Sequence, residues 1–263
     1  MQEIKSLREI LWEQFSKKDC IAFDLDETCF VQKDKIMRNF NSKERTEFLN
    51  ELRALKGNER VTFAYDNSEY QLLEPDFLEI LSQIQSPIMG FTARRSGKAT
   101  MEMKTTVEDD TIETLRKLGI DFQSAVFPDL QVPGMNQLNP EFEREVMDPK
   151  LRPFQVPGDV MIKSGVLFTN NLNKGLVLSK VFSLVDFVPE TFVLIDDKIS
   201  NLQSVDQTIS EINLRLGTNI KFVGYHYTQY LEIDNQLDSN VVSQQKEALL
   251  EDPPRYLPDS HFV

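Results

Sequence analysis

Short apolar runs alternate with amphipathic stretches along most of the chain. Residues 20–23, 87–91, 165–169, 192–195 and 221–225 are near-continuous apolar runs of strand length, the pattern of strands covered on both faces. Between and before them, apolar residues recur at helical spacing over 3–17, 41–56, 75–85, 106–118, 175–185 and 201–216. Strands alternating with helices at this spacing predict βαβ units, and so an α/β fold with a doubly wound, mostly parallel sheet. Residues 61–65 and 125–127 read as two further short strands, and a short helix is predicted near 243–250.

Two stretches break the alternation. Residues 31–75 are largely polar, and 128–160 are rich in Pro, Asn and Gly, with one charged helical turn near 141–147. Both read as helical or irregular cap insertions on a single-domain core of about 1–30 and 76–235, with 236–263 as a C-terminal extension.

Charge narrows the partners. With 29 basic and 42 acidic residues the net charge is −13, which argues against sequence-independent binding of nucleic acid or anionic lipid. No apolar run approaches the roughly 20 residues of a membrane span. Residues 1–18 are polar and amphipathic, unlike a signal peptide, and a trimmed secreted form would look the same, so the compartment stays open, as does the oligomeric state. Cys20 and Cys29 bracket an extended run and read as buried thiols. His226, His261 and Trp12 read as structural or solvated.

Chemistry concentrates at four strand ends, which a parallel sheet brings to one crevice. Asp24 and Asp26 follow the first run: one carboxylate can attack phosphorus, and a second, two residues on, can protonate a leaving oxygen and then activate water. Thr92 follows the second run, where a hydroxyl backed by backbone N–H groups can hold a phosphate oxygen or merely cap a helix. Lys174 opens a helix, a poor place for a cation beside the positive end of the dipole, unless it offsets charge on a nucleophile and a phosphoryl group; a plain surface lysine fits the spacing equally well. Asp196 and Asp197 end the fourth run, with Asn201 one helical turn on, an oxygen-rich set suited to Mg²⁺. Arg94 and Arg95 are candidates for substrate contact or for solvent.

The phrases FDLDET, GFTAR, NKG and VLIDDKISN, in that order, resemble the four-motif signature of the haloacid dehalogenase (HAD) superfamily of phosphohydrolases, over roughly residues 20–30 and 85–228. GFTAR, GVLFTNNLNKG, IDDKISNLQSV and GYHYT more narrowly resemble the bacterial DUF2608 subfamily. The superfamily resemblance implies Asp24 as nucleophile, Asp26 as general acid/base with its carbonyl on Mg²⁺, Thr92 on the phosphoryl group and Lys174 steadying both. It implies Asp197 on the metal and Asp196 behind it, roles the two could exchange, with Asn201, Thr28 and Arg94 in the outer ring of contacts. The implied activity is a Mg²⁺-dependent phosphomonoesterase acting on a small phosphorylated substrate. A phosphoprotein phosphatase and a low-turnover binding or effector protein are the alternatives.

Overall fold

The computed structural model describes residues 1–38, 41–98, 104–122, 126–135 and 158–262. Its strands are β1 (Gln2–Ile4), β2 (Cys20–Phe23), β3 (Phe30–Gln32), β4 (Tyr70–Leu72), β5 (Ile88–Thr92), β6 (Leu130–Val132), β7 (Val160–Lys163), β8 (Val166–Phe168), β9 (Thr191–Asp196) and β10 (Lys221–Tyr227). Its α-helices are α1 (Ser42–Lys56), α2 (Asn58–Asn67), α3 (Phe77–Gln83), α4 (Val107–Leu118), α5 (Lys174–Phe182), α6 (Ile199–Leu216) and α7 (Ser239–Leu250).

Eight strands form the central sheet in the order β1-β10-β9-β2-β5-β8-β7-β6. The first six in that order run parallel, while β7 and β6 add an antiparallel edge. From β2 the chain steps outward to β5 and β8, then crosses back to β9 and out to β10. The order therefore reverses between β2 and β9, where open α/β sheets bind ligands beyond the strands' carboxyl ends.

Side-chain alternation along the strands divides the core into two layers. Ile21, Phe23, Val193 and Ile195 face a cluster with Phe77 and Ile80 of α3 and Leu115 of α4. Cys20, Ala22, Phe192 and Leu194 face the opposite cluster, with Val177 and Val181 of α5 and Leu202, Val205 and Ile209 of α6. The apolar runs of β2 and β9 are buried because both faces are covered.

Contact between α5 and α6 is close enough to require glycine at 175. A Cβ there would lie 2.3 Å from the Ser204 carbonyl oxygen and 2.4 Å from Thr208 Oγ1. Gly175→Ala is accordingly expected to push the two helices apart and cost about 1–3 kcal/mol, read as a lower urea midpoint at unchanged slope. An unchanged midpoint would show that the helices can separate freely.

Four local expectations are corrected. Residues 3–17 do not form a helix: Gln2–Ile4 pair with β10, and two 3₁₀ turns follow at Leu7–Glu9 and Trp12–Gln14. Ile4, Leu7, Ile10, Trp12 and Phe15 are all buried even so. The open edge of β10 supplies backbone partners that a local helix would forgo. Residues 61–65 belong to helix α2 rather than a strand, because Val61 and Ala64 pack with Leu52 and Leu249 in a third apolar cluster. Val126 and Phe127 are in a turn; the nearby strand is instead β6, which with β7 lengthens the sheet. That part of 128–160 is sheet edge rather than lid, and the turn predicted near 141–147 lies outside the described residues. The β7–β8 hairpin turns at Ser164 and Gly165, both at positive φ (48° and 74°), the backbone that two-residue hairpins demand.

Residues 31–75 carry the β3–β4 pair and helices α1 and α2. The C-terminal segment packs onto them. Arg60 of α2 donates to the carbonyls of Leu249 and Glu251, each at 2.6 Å. Asp34 accepts from the Asp259 N–H at 2.8 Å and from the Tyr256 hydroxyl.

Candidate active site

At the carboxyl end of β2 the Asp24 N–H donates to the Ile195 carbonyl at 2.9 Å, which seats the first acid beside the end of β9. The next turn closes tightly: the Leu25 carbonyl accepts from the N–H groups of Thr28, Cys29 and Phe30, and Glu27 has φ of 61°. Cys29 Sγ donates to the Asp24 carbonyl at 3.0 Å. Both cysteines are free and buried.

Lys174 begins α5 behind Asn173, whose side chain caps the helix by accepting the Leu176 N–H at 3.0 Å. Its ammonium lies 2.7 Å from Asp24 Oδ1 and 2.6 Å from Asp196 Oδ2, and it is 1% exposed. The unfavourable helix position is thus offset by two buried carboxylates. Burial disfavours the charged ammonium, yet Asp196 and Asp24 outweigh it and raise the Lys174 pKa.

Asp24, Asp196 and Asp197 each offer a carboxylate oxygen, all within 4.8 Å of one another and all buried. With the acids ionised, Lys174 cancels one of three charges and leaves two, the charge of a divalent cation. Burial, reinforced by Asp196 and Asp197, pushes Asp24 well above the ordinary carboxylate range against the pull of Lys174. Burial and the Asp196 charge push Asp197 up to about 6.

The two adjacent acids differ in their bonding. Asp196 accepts from Lys174, from the Lys198 N–H at 2.9 Å and from Asn201 Nδ2 at 2.9 and 3.1 Å. Among the described residues Asp197 Oδ1 is buried without a hydrogen-bond partner, an arrangement that calls for a proton or a metal ion. The donor set fits a hard divalent cation, with Asp24 and Asp197 facing it and Asp196 held from behind by nitrogen donors. Asn201 therefore serves Asp196.

Asp26 stands apart from this trio. Arg94 binds it with two hydrogen bonds, Nε at 2.8 Å and a terminal nitrogen at 2.6 Å. The guanidinium also reaches Thr111 Oγ1 at 3.1 Å and the Tyr70 hydroxyl at 3.3 Å. Burial acts to raise the Asp26 pKa, but Arg94 outweighs it and the carboxyl sits below its usual value.

Thr92 ends β5, the strand next to β2, and its Oγ1 accepts the Arg94 N–H at 3.1 Å. The hydroxyls of Thr28 and Thr169 are buried without partners among the described residues. The Thr169 N–H donates to the Thr92 carbonyl at 3.0 Å, so these two threonines belong to adjoining strand ends.

The structure adds residues that the pattern of the chain did not single out. Thr169 is one, and its signal was present, since it is the polar last residue of an apolar run. His226, read from the chain as structural or solvated, comes to the edge of the site: its Nε2 lies 3.0 Å from the Asp197 carbonyl because β10 pairs with β9 in a register that sets it opposite Asp196. Cross-strand register of this kind is not encoded locally. Tyr70 reaches Arg94 through the β3–β4 pairing, which was equally unforeseen.

Comparison with known proteins places the chain in a family. An uncharacterized protein of Rickettsia felis (strain ATCC VR-1525 / URRWXCal2) is 23% identical to it over 212 residues, 79% of this chain, and the chain spans 62% of that relative's length. No solved structure matches it. No helix among the described residues is long and apolar enough to cross a membrane. Residues 1–251 match the model of the family described as Protein of unknown function (DUF2608), and the chain belongs to that family.

Proposed function

We propose that this protein is a Mg²⁺-dependent phosphomonoesterase of the HAD type, working through an aspartyl-phosphate on Asp24. One observation carries the reading: a buried strand-end carboxylate held 2.7 Å from a buried lysine, inside a three-acid group that still lacks two positive charges. A nucleophilic carboxylate, a fixed ammonium and a divalent-cation site are what phosphoryl transfer needs in one place. The reversal of strand order between β2 and β9 puts that place where such sheets take ligands.

In this reading Asp24 attacks phosphorus and the bond from phosphorus to the ester oxygen breaks. Asp26 delivers a proton to that oxygen. Water then attacks the phosphorus of the aspartyl-phosphate while Asp26 accepts its proton. The bond to Asp24 breaks, phosphate leaves and the carboxylate is restored. Thr92 and Lys174 hold phosphoryl oxygens throughout. For Asp26 to exchange protons, its pair with Arg94 must loosen when substrate enters. A cation held by Asp24 and Asp197 would supply charge neutralisation between carboxylate and phosphate.

The test is release of p-nitrophenol from p-nitrophenyl phosphate with Mg²⁺ and with a chelator. Turnover only with the metal is expected; the same rate in both would remove the metal from the reading, and no turnover would remove the reading.

Metal binding has a readout of its own. Asp197→Ala should abolish Mg²⁺ binding in titration calorimetry at pH 7, whereas Asp196→Asn should weaken it less. Because the metal binds deprotonated Asp197 and Asp24, both raised by burial, wild-type affinity should fall at least about tenfold per pH unit below about 6. The opposite order of the two variants would exchange the roles of the adjacent acids.

A further inference from the structure

Beside Asp26 and Arg94 opens a cavity of about 660 Å³, walled by α1, α2 and β4 on one side and α4 on the other. Its volume is that of a site for a small organic molecule. Its lining carries both signs of charge, with Asp26 and Glu27 among the acids. The Asp66 carboxyl of α2 is raised by burial and by the charge of Asp110 on α4, against the pull of Lys104.

Tyr65, 43% exposed, lines the cavity with Arg45, Arg53, Arg94 and Tyr70; the three arginine charges act on its hydroxyl, and the Arg45 charge is felt as far as Asp26. These cations are held in place. Arg45 donates to the Met37 carbonyl at 3.1 Å, and Arg53 donates to Asn58 Oδ1 at 3.0 Å and Asn50 Oδ1 at 2.7 Å. The Arg94 guanidinium lies 5.1 Å from the Phe30 ring centre and 5.3 Å from that of Tyr70. In a chain with a net charge of −13, three arginines around the mouth of one reaction centre mark an anion position. Arg94 also pairs with Asp26; Arg45 and Arg53 line the same cavity, into which a leaving group would extend.

We infer that the substrate's leaving group carries an anionic group of its own, a second phosphate or a carboxylate, received by Arg45 and Arg53 beside the Tyr65 and Tyr70 hydroxyls. This rests on the phosphomonoesterase reading and names the class of substrate within it. Arginine pairs with either oxyanion in the same forked geometry, so the chemistry is shared.

Matched substrates test it. For wild-type enzyme with Mg²⁺, kcat/KM is compared for fructose 1,6-bisphosphate against fructose 6-phosphate, and for 3-phosphoglycerate against glycerol 3-phosphate. At least about a tenfold preference for the doubly anionic member is expected in one pair or both, the scale of a hydrogen bond to a charged group. Preference confined to the first pair identifies a phosphate, and preference confined to the second a carboxylate. Arg45→Met and Arg53→Met should each bring the ratio toward one, a quantity that cancels general loss of activity. Equal kcat/KM within both wild-type pairs would overturn the inference and leave the phosphatase reading standing. Failure to turn over p-nitrophenyl phosphate or any of the four esters would remove that reading and the inference with it.

Discussion

Lys174→Met is expected to destabilise the protein by about 3–5 kcal/mol, the usual cost of removing one partner from a buried ion pair. Methionine fills much the same volume, so packing is nearly kept and the loss is electrostatic. The ammonium is 1% exposed and within 2.7 Å of two carboxylates. Without it, Asp24, Asp196 and Asp197 share a buried site with no positive charge. Domains of ordinary stability have only about 5–15 kcal/mol in total, so the variant should unfold at distinctly lower urea.

The sign of the pH effect follows. In the variant the folded-state carboxyl pKa values rise above their unfolded values, so the penalty is present at neutral pH and fades as falling pH protonates the acids. The difference between variant and wild type should therefore shrink from pH 7 to pH 5. Added Mg²⁺ should also restore part of the loss, since a divalent cation replaces the missing charge. Equal urea midpoints at pH 7 in a chelator would mean that the lysine does not balance these acids.

Asp24→Asn separates stability from chemistry. The amide matches the carboxylate in shape but has no nucleophilic charge, so Mg²⁺-dependent hydrolysis of p-nitrophenyl phosphate should fall at least about 10³-fold. The same change relieves repulsion from Asp196 and Asp197, which together with burial lifts the Asp24 pKa. Its thermal midpoint should accordingly match or exceed that of the wild type, the trade expected where a site holds like charges together. A variant that retains activity would show that Asp24 is not the nucleophile. A variant that lost activity by unfolding would be recognised from its melt.

Much of the central sheet was legible from the chain itself. Apolar runs ending in Asp24, Thr92 and Asp196 predicted strands β2, β5 and β9 and put the polar residues at their carboxyl ends, because a strand covered on both faces tolerates polar groups only where it emerges. Lys174 stood out through its conflict with the helix dipole, and two strand-buried acids resolve that conflict. The elements that escaped sequence reading are those whose partners, backbone or side chain, lie outside the segment itself. Residues 2–4 are extended only because β10 has a free edge. Residues 61–65 have β-branched and aromatic character but curl into α2 because Leu52 and Leu249 wait on one side of a helix.

The amino-acid order alone determined which residues are apolar enough to be buried, where each run stops, and which acids, threonine and lysine stand at the stops, since these depend on hydrophobicity and short-range geometry. Tertiary structure decided how those stops are wired. It paired Asp26 with Arg94, left Asp197 Oδ1 without a partner among the described residues while Asp196 collected its donors, and brought α1, with Arg45 and Arg53, and α2 against the cavity beside Asp26. The Lys174–Asp24 pair alone joins residues 150 positions apart in the chain. Such pairings arise from strand order and register, which minimise the burial cost of the whole molecule and leave no mark on any single segment.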